Sequence, residues 1–159
     1  MIVVIGYGNT LCGDDGIGPY IAERLSGEMQ SGDIDFWAVR QLTPELAEPI
    51  SRADAAIFID TCVGATPGQI GCYELTLSPE PNSARSGAFT HHVHAVGLLE
   101  SAYLLYGKCP PAYLYGVAGQ AFSLGAGFSP SVEAALPCLI EAVKERIALC
   151  TNTALLKAS

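Results

Sequence analysis

The chain has 159 residues and a mass of 16.6 kDa, the size of one compact domain and too short for two domains with separate cores. Half of its residues are hydrophobic and only 15% are charged, which excludes a disordered chain. Eight basic against sixteen acidic residues leave a net charge of −8, the wrong sign for holding a phosphate backbone, so nucleic acid is not expected as a partner.

Residues 2–5, Ile-Val-Val-Ile, form an unbroken aliphatic run stopped by Gly6, as expected of a strand covered on both faces. A glycine-rich loop over 6–16 follows. Ile17, Tyr20, Ile21 and Leu25 then recur at helical spacing, with Pro19 tolerable in the first turn. A second strand is predicted at 36–39. Thr43, Pro44 and Glu45 read as N-cap, first helical residue and first-turn acid of a short helix to Arg52, which Pro49 is able to shorten. The third buried strand, 55–59, delivers Asp60 at its carboxyl end, before a turn-rich segment at 61–68.

Residues 70–77 alternate as a fourth strand, read as an antiparallel edge, and 78–87 form a Pro/Ser loop free to move. Thr90 is expected to cap a helix over 92–106. A fifth strand follows at 113–118, then a small-residue loop to 127 near the strand ends, and a last helix from Ser129-Pro130 to Leu149. Strands alternating with helices predict a three-layer α/β/α sandwich around a mostly parallel five-stranded twisted sheet. Residues 1–150 form its single domain and 151–159 a frayed tail.

Cys12, Cys62, Cys72, Cys109, Cys138 and Cys150 are scattered, without the close pairs of zinc ribbons or redox motifs, which predicts a reduced, cytoplasmic protein. The opening apolar run is too short for a signal sequence, and none approaches the ~18 residues of a membrane span.

The most informative segment is Gly-Tyr-Gly-Asn-Thr-Leu-Cys-Gly-Asp-Asp-Gly-Ile-Gly over 6–18. A dinucleotide-binding reading fails, because Leu11 stands where the third glycine belongs and Asp14 and Asp15 would repel phosphate. One acid at a helix entrance is an ordinary dipole cap, worth ~0.3–1 kcal/mol. A second acid, together with Asp60 at another strand end, suggests one site, although Asp60 alone also suits an Asx turn with Thr61 and Cys62. The three histidines, His91, His92 and His94, crowd one helix entrance. His91 and His94 share a helical face, and either completes an oxygen, oxygen, nitrogen set with Asp15 and Asp60 for a divalent metal. Cys12 and Cys62 read as packing rather than as thiol nucleophiles. Tyr103, Tyr106, Tyr113 and Tyr115 read as core or partner surface.

These residues resemble the maturation endopeptidases that trim the large subunit of nickel–iron hydrogenases. Gly6, Gly8, Asn9, Leu11, Asp14, Asp15, Gly16 and Gly18 are similar to that family's N-terminal signature. Ile57-Phe58-Ile59-Asp60-Thr61 resembles its third strand, and His94-Ala95-Val96-Gly97-Leu98 its histidine segment. The likeness continues through Tyr115-Gly116-Val117 and residues 127–134. Residues 41–46, Gln-Leu-Thr-Pro-Glu-Leu, depart from the family's common Asp-Gly-Gly-Thr and resemble the branch serving soluble NAD-reducing hydrogenases.

The resemblance implies a cytoplasmic endopeptidase that removes a C-terminal extension from the large-subunit precursor after nickel insertion. Asp15, Asp60 and His94 would contact nickel carried by that precursor, with His91 or His92 as substitutes for His94; the cut itself is read separately, as a metal-polarised carbonyl with Asp14 or Asp15 as the acid assisting water and Asp14 the accessory candidate. No organic cofactor, nucleic acid or membrane is implied. Two readings stay open beside it, a metallopeptidase with resident zinc and a non-catalytic nickel-binding chaperone.

Overall fold

The computed structural model describes residues 1–29, 31–62, 66–77 and 90–158, the side chains of 90–93, 155, 157 and 158 excepted. Five strands, β1 (Ile2–Tyr7), β2 (Ile34–Val39), β3 (Ala55–Cys62), β4 (Ile70–Leu75) and β5 (Ala112–Ala118), form one sheet in the order β2-β1-β3-β5-β4. All neighbours run parallel except β4, which lies antiparallel to β5 at the edge. Both flanks carry helices, so β1 and β3 are buried along their whole length, which explains why they read as continuous apolar runs rather than alternating ones.

Alternation along the strands sorts the core into two halves. Ile2, Val4, Ile57, Ile59 and Val117 face α1 (Ile17–Glu28) and α4 (Pro130–Ala158), packing on Ile17, Ile21, Leu25, Leu139, Val143 and Ile147. Val3, Ile5, Phe58 and Leu114 face α2 (Ala47–Arg52) and α3 (Thr90–Tyr106), packing on Ile50, Leu98 and Leu99. Each fully buried side chain of this size contributes about 1.5–3 kcal/mol relative to exposure. The expected three-layer sandwich with a mostly parallel five-stranded sheet is therefore present.

The order of connections positions the site. From β1 the chain crosses over α1 to β2 at one edge, then returns over α2 on the opposite face to β3 on the other side of β1. The gap beyond the carboxyl ends of β1 and β3 is thus a topological switch point, where open α/β sheets bind their ligands.

Several boundaries differ from those expected. Strand β3 extends to Cys62 because β5 keeps pairing with it, Asp60 against Gly116, Thr61 against Val117 and Cys62 against Ala118; Asp60 is therefore the third-last residue of the strand rather than the residue after it. Thr43 is extended but makes no side-chain capping bond, and a 3-10 turn at Pro44–Leu46 precedes α2. Pro49 does not end α2, since in the first turn its missing N–H has no intrahelical partner to lose. Helix α4 runs past Leu149 to Ala158. No glycine or proline interrupts that stretch, and the hydroxyls of Thr151 and Thr153 donate to the carbonyls four residues back, Ile147 and Leu149, at 2.9 Å each. The Pro/Ser loop at 78–87 and part of the 61–68 turn lie outside the described residues, and Thr90 opens α3 as described.

Candidate active site

The glycines of the first loop serve close backbone approach. A Cβ on Gly6 would sit 1.9 Å from the Gly18 carbonyl oxygen, and one on Gly18 would sit 2.4 Å from that of Ile59, so α1 enters directly against β1 and β3. Gly8 has φ +141°, and a Cβ there would lie 1.9 Å from the Asp15 carbonyl oxygen. The chain folds tightly back, and Asp15, half-buried in the 3-10 turn Gly13–Gly16, arrives above the end of β1. Its carboxylate accepts the backbone N–H of Asn9 at 2.7 Å and, weakly, the Thr61 hydroxyl at 3.4 Å. Thr61 is the residue after Asp60, so this contact joins the two acids' strand ends across the switch point.

Asp60 is 2% exposed and accepts the backbone N–H of Thr61 at 2.7 Å. Its neighbours Ile57 and Ile59 face α1 and α4 while Phe58 faces α2 and α3, so alternation places Asp60 on the α3 side of the sheet. Tyr7 occupies the same side on β1, one step beyond the Gly6–Ile59 pair, and its hydroxyl hydrogen-bonds the Asp60 carboxylate. Burial first, and then the Asp60 charge, raise the Tyr7 pKa far above the ordinary phenol range. Burial and the same charge push the Cys62 thiol up, so it stays protonated and packs as a small hydrophobe.

Asp14 behaves differently from its neighbour. It is completely buried, and both carboxylate oxygens are engaged: Oδ1 accepts the Ser129 N–H at 2.6 Å, while Oδ2 accepts Gln120 N–H at 2.7 Å, Ala121 N–H at 2.9 Å and the Ser129 hydroxyl at 2.7 Å. Burial opposes the charge, but these donors outweigh it and hold the carboxyl below its usual range. A carboxylate without exposed surface and with four protein donors on its two oxygens does not reach a substrate water.

Helix α3 precedes β5 by a short connection and runs antiparallel to it, so its first turn points toward the carboxyl ends of the strands, on the face that carries Asp60 and Tyr7. His94 is exposed there; the side chains of His91 and His92 lie outside the described residues. Among the described residues no three His, Cys, Asp or Glu side chains form a group able to hold a metal ion. Asp15 and Asp60 are hard oxygen donors suited to a divalent cation, and an imidazole from α3 would complete a mixed set. Tyr7 and Ser129 were not singled out from the sequence. Tyr7 carried one usable signal, its alternation with Val3 and Ile5 on a strand ending at the site.

No protein-family model and no curated protein matches this chain. Solved structures do. The hydrogenase maturating endopeptidase HybD from E. coli superposes with a TM-score of 0.70 at 23% identity, covering 89% of this chain and 88% of the other. The [NiFe] hydrogenase maturation protease HybD from Thermococcus kodakarensis gives 0.69 at 18% identity, over 91% and 97%. The hydrogenase 2 maturation peptidase from Thaumarchaeota archaeon SCGC_AB-539-E09 gives 0.67 at 25% identity, over 93% and 98%. The chain has the fold of these maturation endopeptidases along nearly its whole length, and the resemblance read from its motifs agrees with them.

Proposed function

We propose that this chain is a hydrogenase maturation endopeptidase that removes the C-terminal extension of a nickel–iron hydrogenase large-subunit precursor once nickel has been inserted. The observation that carries the reading is the pair of acids, Asp15 and Asp60, held at the β1/β3 switch point and joined through Thr61, in a fold shared with proteins of that name. The motif at 41–46 supports the branch serving soluble NAD-reducing hydrogenases. Six cysteines free of disulfides suit a cytoplasmic site of action.

In this reading the nickel belongs to the substrate. Asp15, Asp60 and a histidine of α3, His94 in the first instance, contact it, while the precursor keeps its own ligands on the remaining positions. The metal brings the scissile peptide to the carboxylates and polarises its carbonyl. Hydrolysis adds one water across the peptide bond, leaving a carboxylate at the new C-terminus and an amine on the released peptide. Asp15 is the acid available to assist that water, being half-buried rather than sealed like Asp14.

The test is the intact mass of a purified nickel-loaded precursor incubated with wild-type protein, Asp15→Asn or Asp60→Asn. Wild type is expected to release one C-terminal fragment, and the two variants none while retaining their far-UV circular dichroism. Wild-type rates from both variants would remove these acids from the reaction, and a precursor left whole by wild type would favour a binding protein.

A further inference from the structure

Two loops, the one after β1 and the one between β5 and α4, meet at the carboxyl end of the sheet, and Asp14 ties them together. Its backbone N–H donates to the Ala121 carbonyl at 2.8 Å, while the Ala121 N–H donates back to its carboxylate at 2.9 Å, a reciprocal pair between the loop after β1 and the loop after β5. The fit leaves no slack. A Cβ on Gly13, which has φ +56°, would lie 2.3 Å from the Ala121 carbonyl oxygen, and one on Gly119 would touch the Asp14 Cβ at 3.0 Å. The β5 loop is also fastened to the end of β3 by Gly119 N–H to Cys62 carbonyl at 3.0 Å, and to the first loop again by Gly125 N–H to Leu11 carbonyl at 2.7 Å. Ser129, at the entry to α4, closes the arrangement with both its N–H and its hydroxyl.

We infer that Asp14 is a positioning residue that fixes the turn carrying Asp15 relative to the strand end carrying Asp60, acting through Gln120, Ala121 and Ser129 and never touching substrate. The inference rests on the peptidase reading for what is being positioned, though the lock itself is a property of the free chain. A carboxylate is required chemically: four donors converge on its two oxygens, and an amide would turn its NH2 toward at least one of them. A buried ionised group without such donors would be strongly unfavourable, so loss of the donors and loss of the acid should loosen the same two loops.

The experiment compares wild type with Ser129→Ala, Ser129→Thr and Asp14→Asn in the full chain. Ser129→Ala removes one of four bonds and keeps the fold even if Asp14→Asn does not. Amide hydrogen exchange is read at Gln120 and Ala121, and single-turnover cleavage is read on nickel-loaded precursor over a range of concentrations and pH. Faster exchange is expected in Ser129→Ala, with the maximal rate down about tenfold, the half-saturating concentration within about twofold and the pH profile unmoved; Asp14→Asn loses about a hundredfold, the scale of a small misplacement of reacting groups. Ser129→Thr, which keeps the hydroxyl, recovers the rate. Wild-type exchange and turnover in both Ser129→Ala and Asp14→Asn would overturn the inference. So would loss of turnover in Asp14→Asn with the Gln120 and Ala121 amides still protected, since Asp14 would then act on substrate itself. A precursor left uncut by wild type would end the peptidase reading alone, with the lock then judged on the exchange data.

Discussion

The hydroxyl of Tyr7 hydrogen-bonds the Asp60 carboxylate from the adjacent parallel strand, on the face of the sheet that α3 covers. Tyr7 is 5% exposed and packs in the core formed with α2 and α3, so its ring is held by apolar contacts and only its oxygen addresses the site. Tyr7→Phe keeps those contacts and removes the bond. A hydrogen bond to a charged group is worth about 1.5–3 kcal/mol, so the variant should unfold at measurably lower urea and cleave precursor more slowly with little change in half-saturating concentration. Unchanged stability and turnover would show that Asp60 does not depend on Tyr7.

Gly18 stands where α1 meets β1 and β3, and a methyl group there would lie 2.4 Å from the Ile59 carbonyl oxygen and 2.6 Å from that of Tyr7. Both neighbours are backbone and cannot swing aside. Gly18→Ala should destabilise the protein by roughly 3 kcal/mol or prevent folding, as overpacked cores do. Gly27, which has nothing within 4 Å of an added Cβ, is the matched control, and Gly27→Ala should leave the midpoint unchanged or raise it. Equal midpoints for the two alanine variants would contradict the close-approach account.

Glu28 ties α1 to α4, paired with Arg24 at 2.9 Å and with Lys144 at 2.8 Å. Hydrogen bonds from Arg24 and then Lys144 lower its pKa from 4.5 to about 2. The folded-state value is depressed, so the stabilisation is present above the unfolded value and is lost as pH falls from about 4.5 through about 2. Melting temperatures of wild type and Glu28→Gln should therefore differ at neutral pH and converge across that window, with the gap shrinking in high salt. A gap independent of pH would mean that the glutamate acts by packing.

The sequence made the sheet legible because its buried strands are uninterrupted aliphatic runs and its helices carry apolar residues at helical spacing. Asp60 was legible for the same reason, as the acid that closes such a run, and Asp15 as one of the two adjacent acids in the loop after another. The role of Asp14 was not. Asp14 and Asp15 are adjacent and chemically identical, and what separates them is the loop at 119–129, more than a hundred residues away, whose N–H groups fill one carboxylate and leave the other half open. Helix α4 continues beyond the Leu149 expected from the sequence, where threonine hydroxyls bond back to the preceding turn. Thr43 failed as a cap because a capping residue pattern does not ensure the capping bond when a 3-10 turn follows.

The most direct test of the central claim, that Asp15 and Asp60 read nickel already seated in a precursor, is the intact mass of one hydrogenase large-subunit precursor prepared with and without nickel and incubated with this protein. Loss of a single C-terminal fragment from the nickel-loaded sample alone is the expected result. Equal cleavage of the nickel-free precursor would contradict the claim and point to a peptidase that needs no metal from its substrate.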